Sequence, residues 1–325
     1  MAATARILLS VLMLPALLSS GFAQQSAPSP PPTSSAVVNV LNAHGNAIRN
    51  LSKENFRLRV NGKPVALVDA RYTVAPRRIV VVLDLSGSMV EEKPTWQIAH
   101  DAVEDLLVQT PTDVSIAMLT FANTVRDRFD FRQSRPAIAK WLSEGPGQRP
   151  KLKQPAKTAL FDAILEALKL LDPIQPGDAI YAITDGGENA SKASTGRTKI
   201  ALRQSGVRLF AFLLDEALPA DVTRRKSFLE MVDDSGGFVL GLAGRQKPDS
   251  ASWDVEYVYD KDSRKRITAY TEELNVQVNG FWMLEFVNPS SNKDSKINLE
   301  VVGDTGKSMK DVWITYPRRI STAAR

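Results

Sequence analysis

The stretch that most restricts this chain is residues 78–84, RIVVVLD. Its apolar residues run without alternation, so it cannot lie with one face in water; a strand of this kind is covered on both sides, as in a parallel sheet between helices. The segments after it keep that rhythm. PTWQIAHDAVEDLLVQ sets Trp96, Ala99, Val103, Leu106 and Leu107 on one helical face, and TALFDAILEALKLL repeats apolar residues every three or four positions. AIYAIT, VRLFAFLL and FVLGL are further buried strands, separated by the helical TKIALRQSG and RRKSFLEMVDDSGG, while DVSIAMLTF and TVRDRFDF form a pair joined at Ala122-Asn123. RPAIAKWLSEG is a short helix. Strand and helix in alternation predict a doubly wound, mostly parallel α/β sheet over residues 77–280.

Both flanks are β in character. Residues 36–76 hold AVVNVLN, FRLRVNG and PVALVDA, with Asn61-Gly62 as a hairpin turn. Residues 281–320 hold FWMLEFV, KINLEVV and DVWITY between polar turns. About three strands on each side are marginal alone, so we expect the flanks to pair into a small β-sandwich into which the α/β domain is inserted. Residues 244–266 are polar and read as a loop, and ITAYTEELNVQV fits helix and strand periodicities about equally.

The first 23 residues carry a lone Arg6, an apolar stretch from Ile7 to Leu18, and small residues at Gly21 and Ala23. That is the pattern of a cleavable signal peptide, too short for the roughly 20 residues of a membrane span. The expectation is a secreted or periplasmic protein without a stable membrane span after cleavage. Residues 24–35, QQSAPSPPPTSS, read as a Pro/Ser linker. Cysteine is absent, so disulfides, thiolate metal sites and a cysteine nucleophile are excluded. The two histidines, His44 and His100, are not at metal-ligand spacing and read as structural. A net charge of +5 spread among interleaved acids, with no arginine-rich block, argues against nucleic-acid binding.

Directly after the first buried strand comes DLSGSM: Asp84, then Ser86 and Ser88 on alternate residues. In an open α/β sheet, ligands gather beyond the carboxyl ends of the strands, where the strand order reverses. Two other loops bring oxygen to that region, with Thr158 opening a helix and Asp185 closing the strand AIYAIT in TDGGEN. Two carboxylates and three hydroxyls form a hard donor set suited to Mg²⁺ or Mn²⁺. A cation held largely by neutral hydroxyls stays poorly neutralised and favours an external carboxylate. The competing reading is capping: Ser and Asp can close turns after a strand, and Thr158 is a good N-cap for its own helix.

Taken together, Asp84, Ser86, Ser88, Thr158 and Asp185 resemble the metal-ion-dependent adhesion site of von Willebrand factor type A domains, spelled D-x-S-x-S, T and D. The flanking patterns resemble exported bacterial proteins of that family. The resemblance implies Ser86, Ser88 and Thr158 as direct ligands, with Asp84 and Asp185 bound directly or through water. It also gives Gly87 and Gly186 to tight turns near the ion, and makes ITAYTEELNVQV the domain's last helix. One departure is Ala156-Lys157, where the family often has glycines; we expect Lys157 to point to solvent. Asp162, Glu188 and Asn189 lie nearby in sequence, either on the surface or supporting the site.

Two functions follow. One is a binding module, not an enzyme, whose metal accepts an Asp or Glu of a partner protein in adhesion or assembly. The other is a scaffold in which the metal only stabilises the loops and the β appendage makes the contacts. A serine hydrolase is disfavoured because Ser86 and Ser88 lack the strained G-x-S-x-G elbow. GDTGKS at 303–308 resembles a phosphate loop but sits between strands, which makes it a hairpin turn.

Overall fold

The computed structural model describes residues 33–74, 77–90, 93–133, 135–145, 157–214, 222–241, 244–246, 261–288 and 294–321. The expected signal peptide, the linker up to residue 32 and Ala156 lie outside them. Thr33–Leu41 form β1, so residues 33–35 belong to a strand and not to the linker.

The N-terminal flank continues with β2 (Phe56–Val60), β3 (Lys63–Val65) and β4 (Leu67–Thr73). At the β2–β3 turn, Asn61 and Gly62 have φ of 51° and 80°, the two left-handed residues that a two-residue hairpin requires. The α/β body runs from β5 (Arg78–Asp84) through α1 (Gly87–Val90), α2 (Lys93–Gln109), β6 (Ser115–Phe121), β7 (Val125–Phe129) and α3 (Arg135–Glu144). It goes on through α4 (Leu160–Leu170), β8 (Ala179–Thr184), α5 (Thr195–Ser205), β9 (Arg208–Leu213), α6 (Val222–Ser235), β10 (Val239–Gly241), β11 (Gly244–Gln246) and α7 (Lys261–Asn279). The C-terminal flank adds β12 (Phe281–Val287), β13 (Ser295–Val301), β14 (Trp313–Thr315) and β15 (Arg319–Ile320). The polar stretch read as loop thus contains β11 and the first turn of α7, a helix whose apolar stripe Ile267, Leu274, Val278 is wholly buried.

The central sheet has the order β11-β10-β9-β8-β5-β6-β7, parallel except for its two edges. Its unalternating strands serve two cores at once. From β5, Ile79, Val81 and Leu83 pack with Val103, Leu106, Ile267 and Leu274. Val80 and Val82 of the same strand pack with Leu160, Ile164, Leu202 and Phe228 on the other face. The chain winds outward in opposite directions from β5 and β8, so the crevice between their carboxyl ends is the switch point of the sheet.

The flanks build two four-stranded sheets, β14-β1-β12-β4 and β15-β13-β2-β3, each drawing strands from both ends of the chain. β1 pairs with β12 from Thr33↔Val287 to Val38↔Trp282, and β2 with β13 from Phe56↔Val301 to Val60↔Ile297. Val38, Leu58, Trp282, Leu284 and Leu299 fill the space between the two sheets. The sandwich rests on the amino ends of the central strands. There Arg208, at the start of β9 and 1% exposed, donates from Nη1 to Asn39 Oδ1 at 2.8 Å and Gln277 O at 2.9 Å. Its Nη2 donates to Gly177 O at 3.0 Å, and Asn39 Nδ2 donates to Gly280 O at 2.8 Å.

Candidate metal centre

At the opposite, carboxyl ends of the strands, three loops meet. Asp84 is the last residue of β5 and is wholly inaccessible to solvent. Its Oδ1 accepts from Ser86 N at 2.8 Å and its Oδ2 from the Thr184 hydroxyl at 2.6 Å. Ser86 Oγ lies 3.3 Å from Ser88 Oγ, and Ser88 in turn donates to Asp185 Oδ2. Ser86, Ser88 and Asp185 therefore form one connected run of oxygens across the β5 and β8 loops, and the Ser86 N–H ties that run to Asp84. Thr158 joins from the third loop: a Cβ built on Gly187 would sit 3.0 Å from Asp185 Oδ1 and 3.6 Å from Thr158 Oγ1. Gly187 keeps that corner open, and its N–H donates to Asp185 Oδ1 at 2.7 Å.

Capping does not account for Thr158, because the N-cap of α4 is Ala159 and it makes no side-chain cap bond. Gly186 has φ +79°, which turns the chain after it, and its N–H donates to the Thr184 hydroxyl at 3.0 Å. Gly87 opens α1, in the short turn between the end of β5 and that helix. Lys157 is exposed.

Burial, and after it the nearby charge of Asp185, push Asp84 up to about 7, against the hydrogen bonds from Thr184 and Ser86. A buried carboxylate facing a second one is a site that a cation relieves. The donor atoms are all oxygen, and three of the five are neutral hydroxyls, which fits a hard divalent ion and not zinc or copper.

The neighbouring acids hold the loops. Glu188, 4% exposed, accepts from Phe161 N at 2.9 Å with Oε2, and from Ser191 N at 2.9 Å with Oε1. Asn189 Oδ1 accepts from Thr158 N at 2.8 Å, while Thr158 O accepts from Asn189 N at 2.9 Å and Ala190 N at 3.0 Å. Asp162 accepts from Lys192 N and Ala193 N, both at 2.9 Å, and Ser191 Oγ accepts from Asp162 N at 3.0 Å. This clasp fixes the Thr158 loop to the Asp185 loop. Sequence reading passed over Thr184, Gly187 and Ser191; a hydroxyl directly before the strand-end aspartate was the one signal for Thr184.

Elsewhere among the described residues, His100, Asp101 and Glu104 come within metal-binding distance of one another. The Arg264 guanidinium occupies that cluster, 3.0 Å from Asp101 and 3.4 Å from Glu104. Residues 303–308 form a hairpin turn closed by Gly303 N to Lys307 O at 2.9 Å.

An α/β body with a D-x-S-x-S loop, a threonine loop and an aspartate loop at its switch point defines a class of domain, and the comparison with family models names it. Residues 79–188 match the von Willebrand factor type A domain. The matched span runs from β5 into the loop after β8, and Asp84, Ser86, Ser88, Thr158 and Asp185 all lie inside it. Among solved structures it is similar to an aerotolerance-related membrane protein from Bacteroides fragilis (14% identity, covering 62% of this chain and 98% of that one, TM-score 0.44). It is also similar to a von Willebrand factor type A protein from Catenulispora acidiphila (11% identity, covering 90% of this chain and 74% of that one, TM-score 0.44). BatB from Bacteroides thetaiotaomicron is a further likeness, at 15% identity over 62% of this chain and 98% of that one, TM-score 0.44. No curated protein matches.

Proposed function

We propose that Asp84, Ser86, Ser88, Thr158 and Asp185 hold Mg²⁺ or Mn²⁺, and that this ion accepts an Asp or Glu carboxylate of a partner protein. The protein is then a non-enzymatic adhesion or assembly module, exported by its N-terminal segment. The observation that carries the reading is the fully buried Asp84 carboxylate, held by the Ser86 N–H, with the Ser86 and Ser88 hydroxyls leading from that turn to Asp185. Such a pair of acids is costly without a cation and useful with one. The scaffold alternative is less well supported, because the Glu188, Asn189 and Asp162 clasp already fastens the loops without a metal.

Titration of the purified protein with Mn²⁺, followed calorimetrically and by electron paramagnetic resonance, tests the metal. One ion per chain in wild type and none in Asp185→Ala is the expected result; equal behaviour of the two ends the proposal. An array of acidic peptides probed in Mg²⁺ and in EDTA tests the partner's chemistry, with chelator-sensitive binding expected. Export is checked by sequencing the N-terminus of protein recovered outside the cytoplasm, with Gln24 expected first.

A further inference from the structure

The loops of the candidate metal centre are braced by the starts of three helices, α4, α5 and α6, which lie on one face of the sheet, where Leu160, Leu202 and Phe228 share a core. Lys157 immediately precedes Thr158. Lys192 N donates to Asp162 Oδ2 at 2.9 Å, which ties the approach to α5 against the first turn of α4, and Arg197 follows in the first turn of α5. Arg224, in the first turn of α6, donates from Nη1 to Glu188 O at 3.1 Å. Its neighbour Arg225 packs against the Asp185 loop: a Cβ built on Gly186 would sit 3.4 Å from Arg225 Cγ and 3.6 Å from its Nε. The first turn of α6 is thereby placed beside that loop.

These turns are basic where helices favour the opposite sign. The amino end of a helix carries a partial positive charge and is stabilised by acids in its first turn. α5 and α6 have no acid there and carry Arg197, Arg224 and Arg225 instead, with Lys226 directly after. The ion pairs between the two helices locate the imbalance. Lys199 Nζ meets Glu230 Oε2 at 2.6 Å, and one turn further down Arg203 Nη2 meets Asp234 Oδ2 at 2.6 Å. Both pairs join residues 31 apart; the same step one turn nearer the metal centre runs from Thr195 to Lys226, a lysine where the acid would stand. Lys157, Lys192, Arg197 and Lys226 are all exposed, and none of them pairs with an acid among the described residues. The acids of the neighbouring loops serve otherwise, since Asp162 and Glu188 accept the backbone N–H groups of the clasp.

We propose that the carboxylate accepted by the ion belongs to an acidic run in the partner polypeptide, and that the further acids of that run lie over the starts of α4, α5 and α6, against Lys157, Lys192, Arg197, Arg224 and Lys226. This rests on the metal reading given above and adds to it the class of partner. Asp84 and Asp185 bring two negative charges to the centre and a divalent ion brings two positive ones, so the filled centre is neutral and the rim keeps its whole positive charge. A single carboxylate leaves that rim unmatched. The cations stand on separate turns and not in one pocket, which suits a chain of acids and not one multiply charged group. Consecutive residues of an extended chain are about 3.3 Å apart and packed helices about 8–10 Å apart, so three or four acids in a row reach from the ion across neighbouring helix starts. Complementary charge of this kind also steers the encounter before the metal bond forms.

The probes are two synthetic peptides with the same number of aspartates, consecutive in one and dispersed among long glycine-serine spacers in the other, titrated onto the full chain in Mg²⁺ and in EDTA. Both should need Mg²⁺, and the consecutive peptide should bind about tenfold tighter at low salt, the sum of several exposed ion pairs. At about 1 M salt, where the screening length is about 3 Å, most of that advantage should disappear. Arg197→Glu/Lys226→Glu puts acids where helix starts favour them, so the fold is kept. This variant should take up Mn²⁺ as wild type does, bind the dispersed peptide about as well, and lose the preference for the consecutive one. Absence of Mn²⁺ uptake by wild type, or of any chelator-sensitive peptide binding, ends the metal reading and this proposal together. With both present, equal affinity for the two peptides, or a preference that survives in the double variant, overturns this proposal alone. A preference undiminished in EDTA would assign the rim to polyanions at large, independent of the ion, and overturns it as well.

Discussion

The Thr184 hydroxyl donates to Asp84 Oδ2 at 2.6 Å, both groups wholly buried at the ends of neighbouring parallel strands. It is a neutral donor to a carboxylate that, among the described residues, has no cationic side chain as a hydrogen-bond partner. Thr184→Val keeps the shape and removes the bond, which leaves the ionised form of Asp84 less favoured. Mn²⁺ affinity should fall about tenfold, the lower end of the range for residues that support a metal ligand. Calorimetric titration checks it.

The pH dependence of the metal-free protein has a definite sign. Asp84 titrates near 7 in the fold and at the ordinary carboxylate value when unfolded, so between about 4 and 7 the folded state holds the extra proton. Stability in EDTA should therefore fall as pH rises through that window. Divalent ion binds the deprotonated site, so the gain in melting temperature on adding Mg²⁺ should grow over the same range. Thermal melts at pH 5, 6, 7 and 8, with and without Mg²⁺, decide it.

Asn189 holds Thr158 by its backbone. Asn189→Ala should lower Mn²⁺ affinity about 10- to 100-fold while one ion per chain still binds at saturation. Asn189→Asp keeps an acceptor for Thr158 N and should recover most of the loss. Titration of both variants against wild type gives the comparison.

Gly177 marks the joint between body and sandwich. A Cβ there would lie 2.2 Å from Phe281 Cε1, and its φ of +92° disfavours any other residue. Gly177→Ala should cost about 1–3 kcal/mol from overpacking, plus backbone strain. Mn²⁺ affinity should stay unchanged, because the joint is at the other end of the strands from the metal loops. Denaturant unfolding measures the first effect and titration the second.

The α/β body was legible because its strands declare themselves: RIVVVLD and AIYAIT have no polar alternation, and the structure buries both faces of each. The candidate site loops were legible because D-x-S-x-S and Asp185 fall at the ends of buried strands and Thr158 directly before a helix. The roles of Glu188, Asn189 and Asp162 were not, since an acid in a polar loop reads alike whether it faces water or accepts backbone N–H groups from a loop some thirty residues away. The start of α7 was missed for a related reason. Five of the six residues 261–266 are charged, and the helix shows its apolar stripe only from Ile267 onward. Arg208 at the base of the body gave no sign either, because the partners that make its burial tolerable, Asn39 and Gln277, are distant in sequence.

Thr33 and Ser321, the first and last described residues, border the same cavity at the amino ends of the central strands. Both ends of the described chain thus lie at one pole, roughly seven strand residues or about 20 Å below the loops that carry Asp84 and Asp185. Were the proposed carboxylate contact made, a pull between it and that pole would load the parallel strands along their length.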